Sequence, residues 1–218
     1  MKRILLAVLV ASLLAAGSAA AQVLGVPVYN RGVSSGIGIQ ADVAFPNQDY
    51  GKGTAFAGTG SVGLGPLGLT AIIGSYKPKG GVSTTSVGGT VNFKVFGGPL
   101  VPLTVNLQAG AGYFKEKLTD IKHLRIPVGV GFALKIPSPA VSLKPWIAPR
   151  VEFDRTSGGL LPTDTQTNFA FSAGLDLDLL SGLGFQAAYD WTRVKNSSLR
   201  PSTIALGAHY QFKLPGMP

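Results

Sequence analysis

The chain has no cysteine. Disulfides, thiol nucleophiles and cysteine metal sites are therefore excluded, and the fold must rely on backbone hydrogen bonding and packing. Histidines number two, His123 and His209, which leaves little for imidazole chemistry. Charged residues make up 13% of the sequence, about half the usual share of a soluble domain. Beyond the first residues there is no apolar run long enough for a membrane helix, although the mean hydropathy is +0.30. A chain that is apolar on average but has no apolar block spreads its hydrophobicity over scattered positions. That excludes a helical membrane protein.

Glycine is abundant instead, at 30 residues. The most regular stretch is 124–136, where Leu124, Ile126, Val128, Val130, Phe132, Leu134 and Ile136 alternate with Arg125, Pro127, Gly129, Gly131, Ala133 and Lys135. A period of two is a strand with two unlike faces. Its length matters as much as its period. Tilted by about 45°, it rises on the order of 30 Å, the thickness of bilayer hydrocarbon. An apolar face toward lipid and a small or polar face toward a lumen is the pattern of a transmembrane β-barrel wall.

The start of the chain has its own grammar. Met1-Lys2-Arg3 precedes an apolar run from Ile4 to Leu14, and Ala19-Ala20-Ala21 follows, which predicts a cleaved signal peptide over residues 1–21. Residues 22–32 then form an N-terminal periplasmic segment. A tail is the simplest form for it, and a start to the first strand or a short plug in the lumen are the alternatives. The formal charge of +9 becomes +7 without Lys2 and Arg3. A basic balance can signal nucleic acid, but an exported chain without a basic run points away from it, toward lipopolysaccharide phosphates or anionic solutes.

Ten strands are expected over 33–45, 54–64, 68–77, 85–96, 103–114, 124–136, 141–153, 167–179, 183–193 and 202–212. The third is the least regular: Leu69, Ala71 and Ile73 share one face while Ile72 and Tyr76 take the other. Eight strands remain an alternative if that strand or the region around Pro145 and Pro149 is irregular. Connections after even strands are tight. Those after odd strands are longer and more polar, the longest being 156–166, as expected for short periplasmic turns and longer outer loops. Phe45, Phe56, Tyr76, Tyr113, Phe153, Phe169, Tyr189 and Trp191 fall near the long-loop ends. Phe93, Phe96, Trp146, Phe185, Tyr210 and Phe212 fall near the short-turn ends, completing a pair of aromatic girdles. The fold class is all-β: a closed antiparallel up-and-down barrel over 33–212, with a C-terminal tail at 213–218.

On this pattern, and on the closing Tyr210-Gln211-Phe212, the chain resembles the small bacterial outer-membrane β-barrels of the OmpA/OmpX-like superfamily. The resemblance covers nearly all of the mature chain. It implies a location in a Gram-negative-type outer membrane, outer-membrane lipid or lipopolysaccharide around the wall, and the barrel assembly machinery as a partner during biogenesis. The closing signal normally ends such chains, whereas here residues 213–218 follow it.

Function has to be read from the inner face, which is rich in small residues such as Gly38, Ala44, Ala57, Gly129, Gly131 and Gly174. A ten-stranded barrel is slightly wider than one that side chains fill, so either water or the segment 22–32 occupies the space. Arg125, Arg150, Glu152 and Asp154 form a candidate lumen charge cluster, with Asp42 and Asp190 at similar height; a tight turn at 137–140 would set Arg125 opposite Glu152. Lys135, Lys144, Asp176 and Asp178 gather near the periplasmic mouth. These charges suit a salt-bridge network that stiffens the lumen or a constriction selecting small polar solutes. Pro145 and Pro149 share a parity, so both missing N–H donors face the same neighbouring strand, as a bulge, a wet seam or a lateral opening. The two histidines lie at opposite ends of the barrel. Without a patterned Ser partner, phosphate cradle or metal cluster, no catalytic residue, metal or cofactor is assigned. The expectation is a non-enzymatic barrel that is structural or a narrow porin-like passive channel. The alternatives are a surface-loop binding or adhesion protein and, last, a lipid-modifying or proteolytic barrel enzyme.

Overall fold

The computed structural model describes residues 23–33, 36–98, 101–159 and 161–212; the expected signal peptide and the tail 213–218 lie outside the described residues. Ten wall strands run in chain order: β1 (Gly36–Pro46), β2 (Gly53–Leu64), β3 (Leu67–Pro78), β4 (Thr84–Gly98), β5 (Val101–Lys115), β6 (Lys122–Leu134), β7 (Val141–Gly158), β8 (Leu161–Leu179), β9 (Leu183–Arg193) and β10 (Ser202–Phe212). A two-residue piece, Ile136–Pro137, continues β6 beyond Lys135 and pairs with β7. Each strand pairs antiparallel with the next, and β10 returns to β1 in a ladder from Ile37↔Phe212 to Pro46↔Thr203. The sheet is closed on itself, so it has no exposed edge for another chain to extend.

The period-two alternation decides which side chain goes where. Outward positions carry large apolar groups that are open to the surroundings, among them Phe56 at 60% exposure, Ile39 at 52% and Leu206 at 51%. A water-soluble protein does not leave so continuous an apolar surface uncovered. Bilayer hydrocarbon is the solvent that suits it, because closure satisfies every wall amide internally or nearly so. Inward positions are small or polar, and the candidate site is built from them.

Four features depart from the sequence expectation. Residues 156–166 are mostly strand, not loop: β7 runs to Gly158 and β8 starts at Leu161, with Thr156 opposite Asp164. Alternation of apolar residues ends at the membrane boundary, but a polar hairpin standing in water needs no apolar face. The β6–β7 register is also offset by two residues, so Arg125 faces Asp154, Pro127 faces Glu152 and Gly129 faces Arg150. The turn is centred later than 137–140, with the Ser138 N–H donating to the Val141 carbonyl. Tyr76 and Trp146 leave the aromatic girdles and point inward, at 5% exposure each. Finally, residues 23–33 do not hang free of the barrel as a tail. They run inside it.

The prolines leave their mark on the ladders. β6–β7 pairing breaks between Gly129↔Arg150 and Phe132↔Ile147, next to Pro149, and again between Ala133↔Trp146 and Ile136↔Leu143, next to Pro145. On the other side of β6, pairing with β5 breaks between Ala109↔Val128 and Gly112↔Arg125, beside Pro127. The β7–β8 ladder runs through both prolines of β7 without a gap. One parity, and hence one neighbour, carries the missing donors.

Candidate functional site: the occupied lumen

Residues 23–33 enter the lumen near the long-loop end and descend toward the short turns before the chain turns back up as β1. Val23 lies against Gly74, and Gly25 against Ala55, Pro46 and Tyr76, all toward the long loops. Asn30 packs on Gly131, Gly32 near Thr104, and Val33 on Gly68, toward the short turns. The small inward residues make sense in this light. A side chain at Gly74 or Gly131 would stand where Val23 or Asn30 now stands.

The upper part of this path is apolar. Val23, Leu24 and Val26 cluster with Tyr50, Ala55, Ile72, Tyr76 and Phe114. Ile72 and Tyr76, which break the pattern of β3, are thus inward-facing partners for the segment rather than misplaced lipid contacts. Tyr50 sits in a short 3-10 turn, Gln48–Tyr50, capped by Asn47, whose side chain accepts from the Tyr50 N–H. That turn folds its ring into the mouth, where the Gly25 N–H donates to the Tyr50 hydroxyl at 2.7 Å.

The segment opens in a turn, where the Val26 N–H donates to the Val23 carbonyl at 3.2 Å, and it pairs with no strand, so its remaining backbone groups need other partners. The wall supplies them from side chains. The Leu24 N–H donates to Ser86 Oγ at 3.1 Å, and the Val28 N–H to Asp190 Oδ2 at 3.2 Å. Thr203 Oγ1 donates to the Gly25 carbonyl at 3.1 Å, and Gln108 Nε2 to the Tyr29 carbonyl at 2.8 Å. Lower down, the Tyr29 hydroxyl donates to Asp42 Oδ1 at 2.9 Å while its ring meets Trp146 edge-on. Arg31 forms an ion pair with Asp176 at 3.0 Å and also donates to Gln186 and Gln40.

The expected charge cluster surrounds the middle of the segment. Arg125 pairs with Asp154 at 3.1 Å across the β6–β7 ladder, and Asn168 donates to the second oxygen of Asp154 at 2.7 Å. Arg150 donates from Nε to Glu152 at 2.7 Å, from Nη1 to Ser172 Oγ at 2.6 Å, and from Nη2 to Asp190 at 2.9 Å. Arg125, Arg150, Glu152 and Asp154 are all buried, and Asp190 is wholly so. Asp190 therefore holds the wall with one face and the segment with the other. The mouth charges divide: Asp176 binds Arg31, Asp178 meets Lys144 at 3.4 Å and His209 at 2.8 Å, and Lys135 stays exposed outside that group. Beside the segment at this end, a polar cavity of about 80 Å³ is lined by Gln40, Thr59, Ser61, Asn92 and His209, among others.

His123 sits apart, at the long-loop rim. Its ring stacks on Phe114 with centroids 4.3 Å apart, Nε2 lies 3.0 Å from Glu116, and Nδ1 lies 3.4 Å from Thr156 Oγ1. Sequence spacing hides this group, because three separate segments contribute to it. Arg31 and Tyr29 were also hidden: nothing in an eleven-residue stretch of mixed composition distinguishes a lumen thread from a tail. The surplus of small inward residues, together with two large apolar ones on β3, was the available signal.

A closed barrel with a lipid-compatible outer surface, a polar interior and a segment threaded through it defines the class of outer-membrane β-barrel proteins. The chain belongs to the family described as outer membrane protein beta-barrel domain, whose model matches residues 6–212. Among solved structures, it is similar to the β domain of the Bordetella autotransporter Brka (12% identity, TM-score 0.54, covering 82% of this chain and 100% of that one), a likeness of fold. Similar also are the N-terminal β-barrel domain of Pseudomonas aeruginosa OprF (14% identity, TM-score 0.38, 82% and 100% covered) and the Yersinia pestis attachment invasion locus protein Ail (15% identity, TM-score 0.35, 82% and 100% covered). No curated protein sequence matches the chain.

Proposed function

We propose that this outer-membrane barrel is non-enzymatic and closed at rest, a structural wall whose lumen is kept shut by its own N-terminal segment. The observation that supports this is the path of residues 23–33, whose backbone and side chains bond to the β1–β2 turn and to strands on every side of the wall, β1, β4, β5, β8, β9 and β10. Buried charges that are paired in this way stiffen an interior; ions pass most readily through a lumen whose charges face water. A narrow solute route is the second reading, favoured by the polar cavity at the short-turn end, and it requires the segment to move aside. The His123 group has a hydroxyl, an imidazole and a carboxylate in order, as acyl-transfer sites do. We assign it a bracing role, since the imidazole is 4% exposed and covered by Phe114.

Planar-bilayer conductance tests the reading. The mature protein is expected to be silent and a variant lacking residues 23–32 to conduct steadily. Steady current through the intact protein would reject the closed state, and Arg125, Arg150 and Glu152 would then become the residues to exchange for ion selectivity.

A further inference from the structure

Inward positions of neighbouring strands bring small polar groups together near the short-turn end. Gln40 of β1 is flanked by His209 of β10 and Thr59 of β2. Two residues on, Ser61 lies closer to the short turns, and Asn92 of β4 stands opposite Gly68 of β3. Residues 29–33 pass in front of these strands without filling the space. Glycine keeps it open: a Cβ at Gly38 would stand 2.6 Å from Ser61 Oγ, and one at Gly68 would stand 3.2 Å from Val33. The result is the partly enclosed polar cavity, bounded on the segment side by Tyr29, Arg31 and Val33. Its volume of about 80 Å³ has room for about six waters, in bulk on the order of one monosaccharide.

Three polar atoms of the lining residues have no hydrogen-bond partner among the described residues: Thr59 Oγ1, Asn92 Oδ1 and His209 Nδ1. Asn92 is 8% exposed, and its amide is oriented by the bond from Nδ2 to Thr90 Oγ1 at 3.2 Å. His209 is held by its other nitrogen, with Nε2 2.8 Å from Asp178 Oδ1. Buried polar groups are costly unless something bonds them. We propose that this cavity binds one neutral polyol of monosaccharide size. An amide oxygen accepts, a hydroxyl donates and accepts, and an imidazole nitrogen does one or the other according to its protonation. A ligand made of hydroxyls matches all three. A charged ligand does not. The Arg31 guanidinium is committed to Asp176, Gln186 and Gln40, so an anion would bring a buried charge to a site without a free counter-ion. A cation would find the Asp178 carboxylate already shared by Lys144 and His209. The site rests on the seated segment of the closed reading, but it does not require the barrel to be silent.

The test uses the full mature protein refolded in dodecylphosphocholine, a detergent without sugar, with D-glucose, D-galactose and myo-inositol as probes. Saturation-transfer difference NMR reads the bound probe. At least one of the three is expected to bind in the millimolar range, whereas the charged sugars D-glucuronate and D-glucosamine are expected not to bind. T59V/N92L should weaken binding about tenfold, the loss expected for two hydrogen bonds. K117Q, altered at a loop tip, should leave it unchanged. A cavity that holds water alone would give no transfer from any of the three probes, and that would overturn the proposal. So would unaltered binding in T59V/N92L, or glucuronate binding as well as glucose. Heat-dependent gel mobility reports barrel folding. Should the double variant not fold, T59V alone, which removes a hydroxyl without a protein partner, is expected to fold and to bind more weakly; unchanged binding would count against the site. Planar-bilayer current separates this proposal from the closed reading. Sugar binding by a protein that conducts steadily would reject the closed state and keep the site, while silence without binding would reject the site and keep the closed state.

Discussion

Gly131 is a glycine because Asn30 occupies the space a side chain would take: a Cβ there would run into the backbone oxygen and the carboxamide of Asn30. Gly60 on the outer face has nothing within 4 Å of the same position. Gly131→Val should therefore expel or shift the threaded segment at a cost of about 1–3 kcal/mol, whereas Gly60→Ala should lose nothing measurable in a heat-mobility or urea titration. Asp190 is a different kind of residue. Removing it strands the buried Arg150 with one carboxylate fewer and leaves the Val28 amide without its acceptor. Asp190→Ala should destabilise the barrel by about 3–5 kcal/mol, as expected for a broken buried pair, and Arg150→Met in the same background should recover part of that loss. Glu116, in the loop after β5, gives a pH handle. Burial pushes its carboxyl up, but hydrogen bonds from His123 and Thr119 outweigh that and hold it below the ordinary value. A depressed folded value means the stabilisation is complete above the unfolded carboxyl range, about pH 4.3, and fades as pH falls through the folded value. Glu116→Gln should flatten that acid limb of stability; an unchanged limb would mean the His123 bracket carries no linkage.

At the scale of strands, what the sequence makes legible follows from what each face must satisfy. β5, β9 and β10 are plain in the sequence because lipid on one side and small residues on the other enforce a period of two from end to end. The ends of β7 and β8 are not, because above the membrane both faces of a hairpin meet water and no alternation is selected. The charge cluster could be gathered from parity alone, since Arg125, Arg150, Glu152 and Asp154 all fall on inward positions. Its pairing could not, because a turn shifted by one residue moves each partner by two. The segment 23–33 has no local signature, because its partners are side chains scattered over six strands and a turn. Prolines write a second legible feature, the gaps in the ladders flanking β6. Hydrogen–deuterium exchange should find the β6–β7 seam near Pro145 and Pro149 less protected than the gap-free β2–β3 ladder. Equal protection on both seams would mean that neighbouring bonds compensate fully for the missing donors.

Taken as one object, the molecule is a wall whose interior surface is shaped around its own chain. That arrangement makes the threaded segment a stabilising ligand tethered at very high effective concentration. A barrel lacking residues 23–32 should still fold, with a lower unfolding temperature, and a synthetic peptide of those residues added in trans should restore part of the loss and quench the conductance of the truncated form. The direction of the thread carries a further consequence. Val23 lies toward the long-loop end, and the chain descends from there to begin β1 at the short turns. An epitope joined ahead of Val23 through a flexible spacer would then emerge by the long-loop mouth and be reachable by antibody on intact cells. The polarity of one buried stretch of peptide thus sets which mouth of the barrel a fusion at Val23 would use.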